Sequence, residues 1–143
     1  MAPVALAGIG YEGRTLQGLV ASLQRAEVTL VLDVRERPWS RKPGFSKSRL
    51  AASLAAAGIR YEHLPEAGNP SENRRTSASR VECLARYRLH LGSRPRVLKQ
   101  IYDAAAGETT ALLCLESAAE QCHRSVIFEE IAATIGPVEP RNL

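Results

Sequence analysis

The chain has 143 residues, 45% apolar and 24% charged, with a formal net charge of +4. That mixture describes one globular domain with one core, and no apolar run approaches the ~20 residues of a membrane span. Aromatics make up only 5%, so aliphatic side chains must build the core, as in buried parallel sheets, and an aromatic base-stacking platform is disfavoured. The positive charge is uneven. Arg35, Arg37, Arg41, Lys42, Lys47 and Arg49 lie close together, and Arg74 and Arg75 share a second loop. Cations clustered in loops point to an anionic partner. Cys83, Cys114 and Cys122 lack the spacing of a disulfide framework, and MAPVALAGIG has no charged region ahead of its apolar residues. The expectation is a cytoplasmic protein with free thiols, no signal peptide and no membrane attachment.

Val4–Gly10 predicts a first strand that opens on a glycine-rich corner, Gly10-Tyr11-Glu12-Gly13. Thr15 can cap a helix whose apolar stripe is Leu16, Leu19, Val20 and Leu23. Gly8, Gly10 and Gly13 have the spacing G-x-G-x-x-G, and Asp33 lies where a dinucleotide site places its ribose ligand. Gly8 falls inside the strand, however, and Tyr11-Glu12 is bulky for a pyrophosphate turn, so a plain turn is preferred. Val28–Val34 is apolar almost throughout and predicts a central second strand. It ends in Asp33-Val34-Arg35, charged groups at the ligand edge of an open α/β sheet. The same two side chains share a strand face, and a structural ion pair is the competing reading.

Glu36–Phe45 is a loop held by Pro38, Pro43 and Gly44, with Trp39, the only tryptophan, among Arg37, Arg41 and Lys42. Trp39 either stacks on a base while the cations meet phosphate, or packs the loop onto the sheet. Ser46 starts a second helix with a stripe of Leu50, Leu54 and alanines, stopped by Gly58. Ile59–Leu64 alternates and predicts a third strand near an edge, with Tyr61 and His63 on one face. Residues 65–79, rich in Gly, Pro, Asn and Ser, predict a mobile loop or lid. Two helices follow, ended by Gly92 and Gly107, then a fourth strand over Ala111–Leu115. Ile127, Ile131 and Ile135 mark a last helix from Cys122, and the tail Val138–Leu143 adds a short strand or lies free. The order β-α-β-α-β-α-α-β-α predicts a single α/β domain. Its sheet is mainly parallel, with four to five strands and helices on both faces, a Rossmann-like three-layer sandwich.

The stretch Thr110–Ser125, TALLCLESAAEQCHRS, gathers thiol, carboxylate, imidazole and guanidinium where a strand gives way to a helix. A helix start favours anions, and a thiol there ionises more easily. Cys114 and Cys122 are therefore candidate nucleophiles, and Arg124 and Ser125 candidate anion ligands. Cysteine phosphatases and sulfurtransferases use a similar corner, but Cys114 to Arg124 is C-x9-R rather than C-x5-R, with Glu116 and Glu120 inside. Acids in an anion cradle repel the ligand. Glu116, Asp33 and Glu66, together with His123, are candidates for acid–base work, on glycosidic bonds of nucleosides for example. Tyr11, Arg35 and His63 are further candidate contacts. Cys114, Cys122, His123 and His63 match no zinc-motif spacing, and no metal or cofactor is implied. The partner class is an anionic ligand: phosphate, a nucleotide or nucleic acid. The readings are an enzyme acting on such a ligand, a non-catalytic nucleic-acid-binding module, a sulfurtransferase- or phosphatase-like activity, and a scaffold or regulatory subunit whose polar corner is a structural network.

Several motifs taken in order resemble the family catalogued as domain of unknown function 488. They are Ile9-Gly10-Tyr11, Asp33-Val34-Arg35, the run Gly58-Ile59-Arg60-Tyr61-Glu62-His63-Leu64-Pro65-Glu66-Ala67-Gly68, Leu112-Leu113-Cys114-Leu115-Glu116 and Cys122-His123-Arg124. One departure is Ala67-Gly68-Asn69 where Leu-Gly-Gly is usual. The resemblance implies a compact cytoplasmic α/β domain and no established reaction. It marks Tyr11, Asp33, Arg35, His63, Glu66, Cys114, Glu116, Cys122, His123 and Arg124 as signature positions, and a shared polar pocket is the expectation for them.

Overall fold

A computed structural model describes residues 2–115 and 123–143. The chain runs β1 (Val4–Gly10), α1 (Leu16–Arg25), β2 (Leu30–Asp33), α2 (Lys47–Ala56), β3 (Arg60–His63), α3 (Ser71–Thr76), α4 (Arg80–Gly92), α5 (Pro95–Gly107), β4 (Thr110–Cys114), α6 (His123–Thr134) and β5 (Val138–Asn142). The five strands form one parallel sheet in the order β3-β2-β4-β1-β5.

The period of two along each strand divides the core in two. Leu6, Leu30, Leu32, Leu112 and Cys114 face the layer of α4, α5 and α6, where Tyr87, Leu91, Leu98, Ile101, Ile127 and Ile131 cover them. Ala7, Ile9, Val31, Ala111 and Leu113 face the other way, onto Leu19 and Leu23 of α1 and Leu50 and Leu54 of α2. This is the three-layer α/β sandwich, with a central β4 whose five residues are all buried. The tail is an edge strand. It pairs with β1 through Val4↔Val138 to Gly8↔Asn142 and accommodates Pro140, because an edge strand leaves one row of N–H groups unused by the ladder.

The register aligns the carboxyl ends of four strands. Gly10 lies beside Cys114, and Asp33 lies between Leu113 and His63. From that rim β1 and β2 continue into α1 and α2 on one face, whereas β4 leads to α6 on the other. Adjacent strands whose connections depart to opposite faces leave a crevice at their carboxyl ends, the topological switch point of an open α/β sheet. Here it opens over the end of β4.

Gly8 does not serve a turn. It sits within β1, and a Cβ on it would stand 2.5 Å from Cδ of Arg124 and 3.1 Å from Cζ of Phe128. Glycine there makes room for a guanidinium side chain inside the core. Residues 65–79 hold more regular structure than their composition suggested. They carry a 3-10 turn at Pro65–Ala67 as well as α3. Gly68 packs so closely that a Cβ would lie 2.3 Å from the backbone nitrogen of Glu36. Ser71 N donates to Glu36 Oε1 at 3.0 Å, and Tyr87 OH donates to Ala67 O. None of the six residues of α3 is buried, so hydrophobic periodicity had nothing there to register.

Among the described residues, no helix is long and apolar enough to cross a membrane.

Candidate functional site

Over the switch point lies a cavity of about 440 Å³, within the range of small-molecule sites. Its floor comes from strand ends: Tyr11 after β1, Val34 and Arg35 after β2, and Cys114 and Leu115 at β4. Its walls are Glu36, Arg37 and Trp39 from the loop after β2, Asn69 and Arg74 from the segment before α4, and His123 from the start of α6.

The floor is built around one buried ion pair. Arg35 donates to both carboxylate oxygens of Asp33, from Nε at 2.8 Å and Nη2 at 2.7 Å, and its backbone N–H adds a third bond at 3.1 Å. Arg35 Nη1 donates to Phe45 O at 2.7 Å. Tyr61 OH donates to Asp33 Oδ2, and His63 Nε2 donates to Arg35 O at 2.7 Å. The guanidinium lies over the Tyr11 ring, 5.3 Å from its centroid, and Tyr11 in turn stacks on Phe45 at 4.9 Å. Burial by itself would lower the Arg35 pKa, but its hydrogen bonds and charge pairing with Asp33 overcome that and raise it. Burial, then the hydrogen bond to Asp33, pushes the Tyr61 phenol above its ordinary range. Asp33, Arg35, Tyr61 and His63 thus form one network that joins β2, β3 and the Phe45 loop. Within it the two charges are directed at each other, with Asp33 fully buried and the Arg35 side chain 8% exposed.

The residues that the loops and α3 bring to the cavity are different in kind. Arg74 is exposed and enters no hydrogen bond or ion pair among the described residues. Arg37 is 81% exposed, with only a long 4.0 Å approach to Glu36. Trp39 is 66% exposed at the rim, so it does not pack the loop onto the sheet. Lys42 is tied inward, over the Phe45 ring and onto Tyr11 O at 3.4 Å. The His123 ring meets Tyr87 edge-on at 5.1 Å. The Tyr87 phenol, pushed above its ordinary range by burial, anchors the turn before α3.

A family model described as Domain of unknown function DUF488 matches residues 15–131. The chain belongs to this family. No curated protein and no solved structure matches it significantly. The positions that the sequence motifs marked separate in space. Tyr11, Arg35, Cys114 and His123 reach the cavity, whereas His63 stands behind the Asp33–Arg35 pair. Glu66 is exposed, with its carbonyl accepting from His90 Nε2 at 2.8 Å, and its side chain does not line the cavity. Arg124 lies beneath Cys114, completely buried, with Nη1 3.1 Å from Cys114 Sγ and Nε 3.2 Å from Asn142 Oδ1. Ser125 faces a different hollow, beside Val81 and Glu129. Glu116 and Cys122 lie outside the described residues.

Of the cysteines, Cys83 is free, as expected, but Cys114 is disulfide-bonded and 1% exposed. The expectation of free thiols therefore fails at Cys114. A small sulfur at the end of a fully buried strand carried no sequence signal for the bond. Among the described residues no three His, Cys, Asp or Glu side chains gather closely enough to hold a metal ion. Glu36 and Asn69 line the cavity although neither was among the candidate site residues. Asn69 is buried, 2% exposed.

Proposed function

We propose that the protein is an enzyme that acts on an anionic substrate of the nucleotide or nucleic-acid class, held in the switch-point cavity. One observation carries the reading: the exposed cations Arg37 and Arg74 line the same cavity as an exposed Trp39, and Arg74 enters no ion pair among the described residues. A guanidinium matches phosphate oxygens, and an indole face accepts a base. Arg35 supports this indirectly. Its network fixes the floor and leaves ligand charge to Arg37 and Arg74. His123 is the described cavity side chain best suited to proton transfer, since imidazole exchanges protons near neutrality.

Trp39 fluorescence provides the test, because it is the single tryptophan. Adenosine 5′-monophosphate should quench it at low salt, and Arg74→Ala should weaken binding by about 10- to 100-fold, the worth of a charge-assisted hydrogen bond. Mass spectrometry of a panel of nucleotides and short oligonucleotides incubated with the protein should then reveal a cleaved or modified product that His123→Ala abolishes. Absence of quenching would remove the reading altogether.

A non-catalytic nucleic-acid-binding module is the second reading. It is favoured by the exposed Arg37, Arg41, Lys47 and Arg49, which extend the basic rim beyond the cavity. It predicts oligonucleotide affinity that falls steeply with salt, no product, and no dependence on His123.

A further inference from the structure

A second, smaller hollow of about 240 Å³ adjoins the main cavity and shares Asn69, Arg74 and His123 with it. Taken alone it is smaller than ordinary ligand sites. Its other walls come from Ser77 and Ser79 ahead of α4, and from Cys83 and Leu84 on that helix. Two of its features point to an occupant. The hydroxyl of Ser77 is buried and has no hydrogen-bond partner among the described residues, a state that costs free energy until something supplies a partner. Arg74, uncommitted and exposed, stands on the boundary between the two hollows.

We infer that the two hollows are one bipartite site for a phosphodiester. Its base lies on Trp39 in the larger lobe, its bridging phosphate lies at Arg74, and a second sugar enters the smaller lobe against the Ser77 hydroxyl. This rests on the proposed nucleotide reading and narrows it, from any anionic nucleotide to a ligand that continues past its phosphate. A terminal monophosphate leaves the smaller lobe unused. The sizes agree with that division, since the larger lobe holds a nucleoside and the smaller a sugar with little more.

The full-length protein is titrated with adenosine 5′-monophosphate and with the dinucleoside phosphate UpA, each read by Trp39 quenching. The monophosphate carries the greater negative charge, so electrostatics alone favours it, and a preference for UpA must come from the second lobe. UpA should bind about tenfold tighter, the worth of one satisfied buried hydroxyl and its contacts. Ser77→Val removes the hydroxyl and narrows the lobe, and it should reduce UpA to the affinity of the monophosphate, leaving the monophosphate unchanged. The substitution suits the backbone, since Ser77 is extended at φ −78° and ψ 139°, and its side-chain hydroxyl gives up no internal bond. Ser77→Ala keeps the space and removes only the hydroxyl. It should lose part of the UpA advantage, and it serves if the valine variant does not fold. Equal binding of the two ligands, or an UpA affinity indifferent to both variants, overturns the bipartite site while the nucleotide reading stands. If neither ligand quenches, the nucleotide reading fails and takes this inference with it.

Discussion

Replacing Asp33 by Asn tests whether Arg35 is structural. The exchange keeps the shape of the side chain, removes the charge and turns one acceptor into a donor. That donor would face Arg35, whose N–H groups bond both Asp33 oxygens at 2.7–2.8 Å, or the Tyr61 hydroxyl. The guanidinium, with its side chain 8% exposed, would stay buried without its counter-charge. Removing one partner of a buried pair costs about 3–5 kcal/mol, chiefly through the uncompensated charge left behind. A surface pair would cost less than about 1 kcal/mol. For a chain of 143 residues the larger figure corresponds to a melting temperature lower by about 10–20 °C. Urea unfolding followed by circular dichroism should show the midpoint falling with the slope unchanged. A loss below about 1 kcal/mol would refute the structural assignment, the more so if nucleotide affinity changed instead.

Tyr61 and Tyr87, both held above the ordinary phenol range, ionise more readily in the unfolded chain. The stability this confers is complete below about pH 10, the ordinary tyrosine value, and is lost as pH rises toward their folded values. A spectrophotometric titration should show two phenols ionising late or only on unfolding, one absent in Tyr61→Phe and the other in Tyr87→Phe. Normal titration of both in folded protein would contradict this. Gly8→Ala drives a methyl to 2.5 Å from Cδ of the buried Arg124 and should cost about 1–3 kcal/mol in urea unfolding. A neutral outcome would mean that Arg124 has room to move. Gly68→Ala meets backbone at 2.3 Å, which cannot rotate away. It should weaken nucleotide quenching of Trp39 by shifting Asn69 and Arg74, and retained affinity would show that the turn does not set that wall.

Periodicity revealed most of the fold because the core is aliphatic and the strands are buried. Leu30–Asp33 and Thr110–Cys114 are buried at every position, and runs of that kind read as central parallel strands. The features left open or missed are those without a hydrophobic pattern. β5 has one partly buried residue followed by exposed ones, and it is held by backbone pairing to β1, which any composition can supply. α3 buries nothing and owes its place to the turn at Gly68 and to the bond between Ser71 N and Glu36.

The candidate site was harder to read for a related reason. Asp33, Arg35 and His63 announce themselves by charge at strand ends, and charge at the switch point of a parallel sheet ordinarily signals function. Here the register that brings Asp33 beside His63 also brings the Tyr61 and Arg35 donors within reach of the carboxylate, and a carboxylate surrounded by donors satisfies them rather than a ligand. Whether a polar residue at the rim binds or braces depends on what its neighbours leave unsatisfied. Sequence spacing carries no record of that. Arg74, on the short α3, and Trp39, on a loop, lie outside any hydrophobic periodicity and remain exposed where the floor is already neutralised. In the proposed nucleotide reading the ligand's charge therefore falls to side chains away from the strand ends, and a strong effect of Arg74→Ala on affinity beside a strong effect of Asp33→Asn on stability is the division of labour that reading requires.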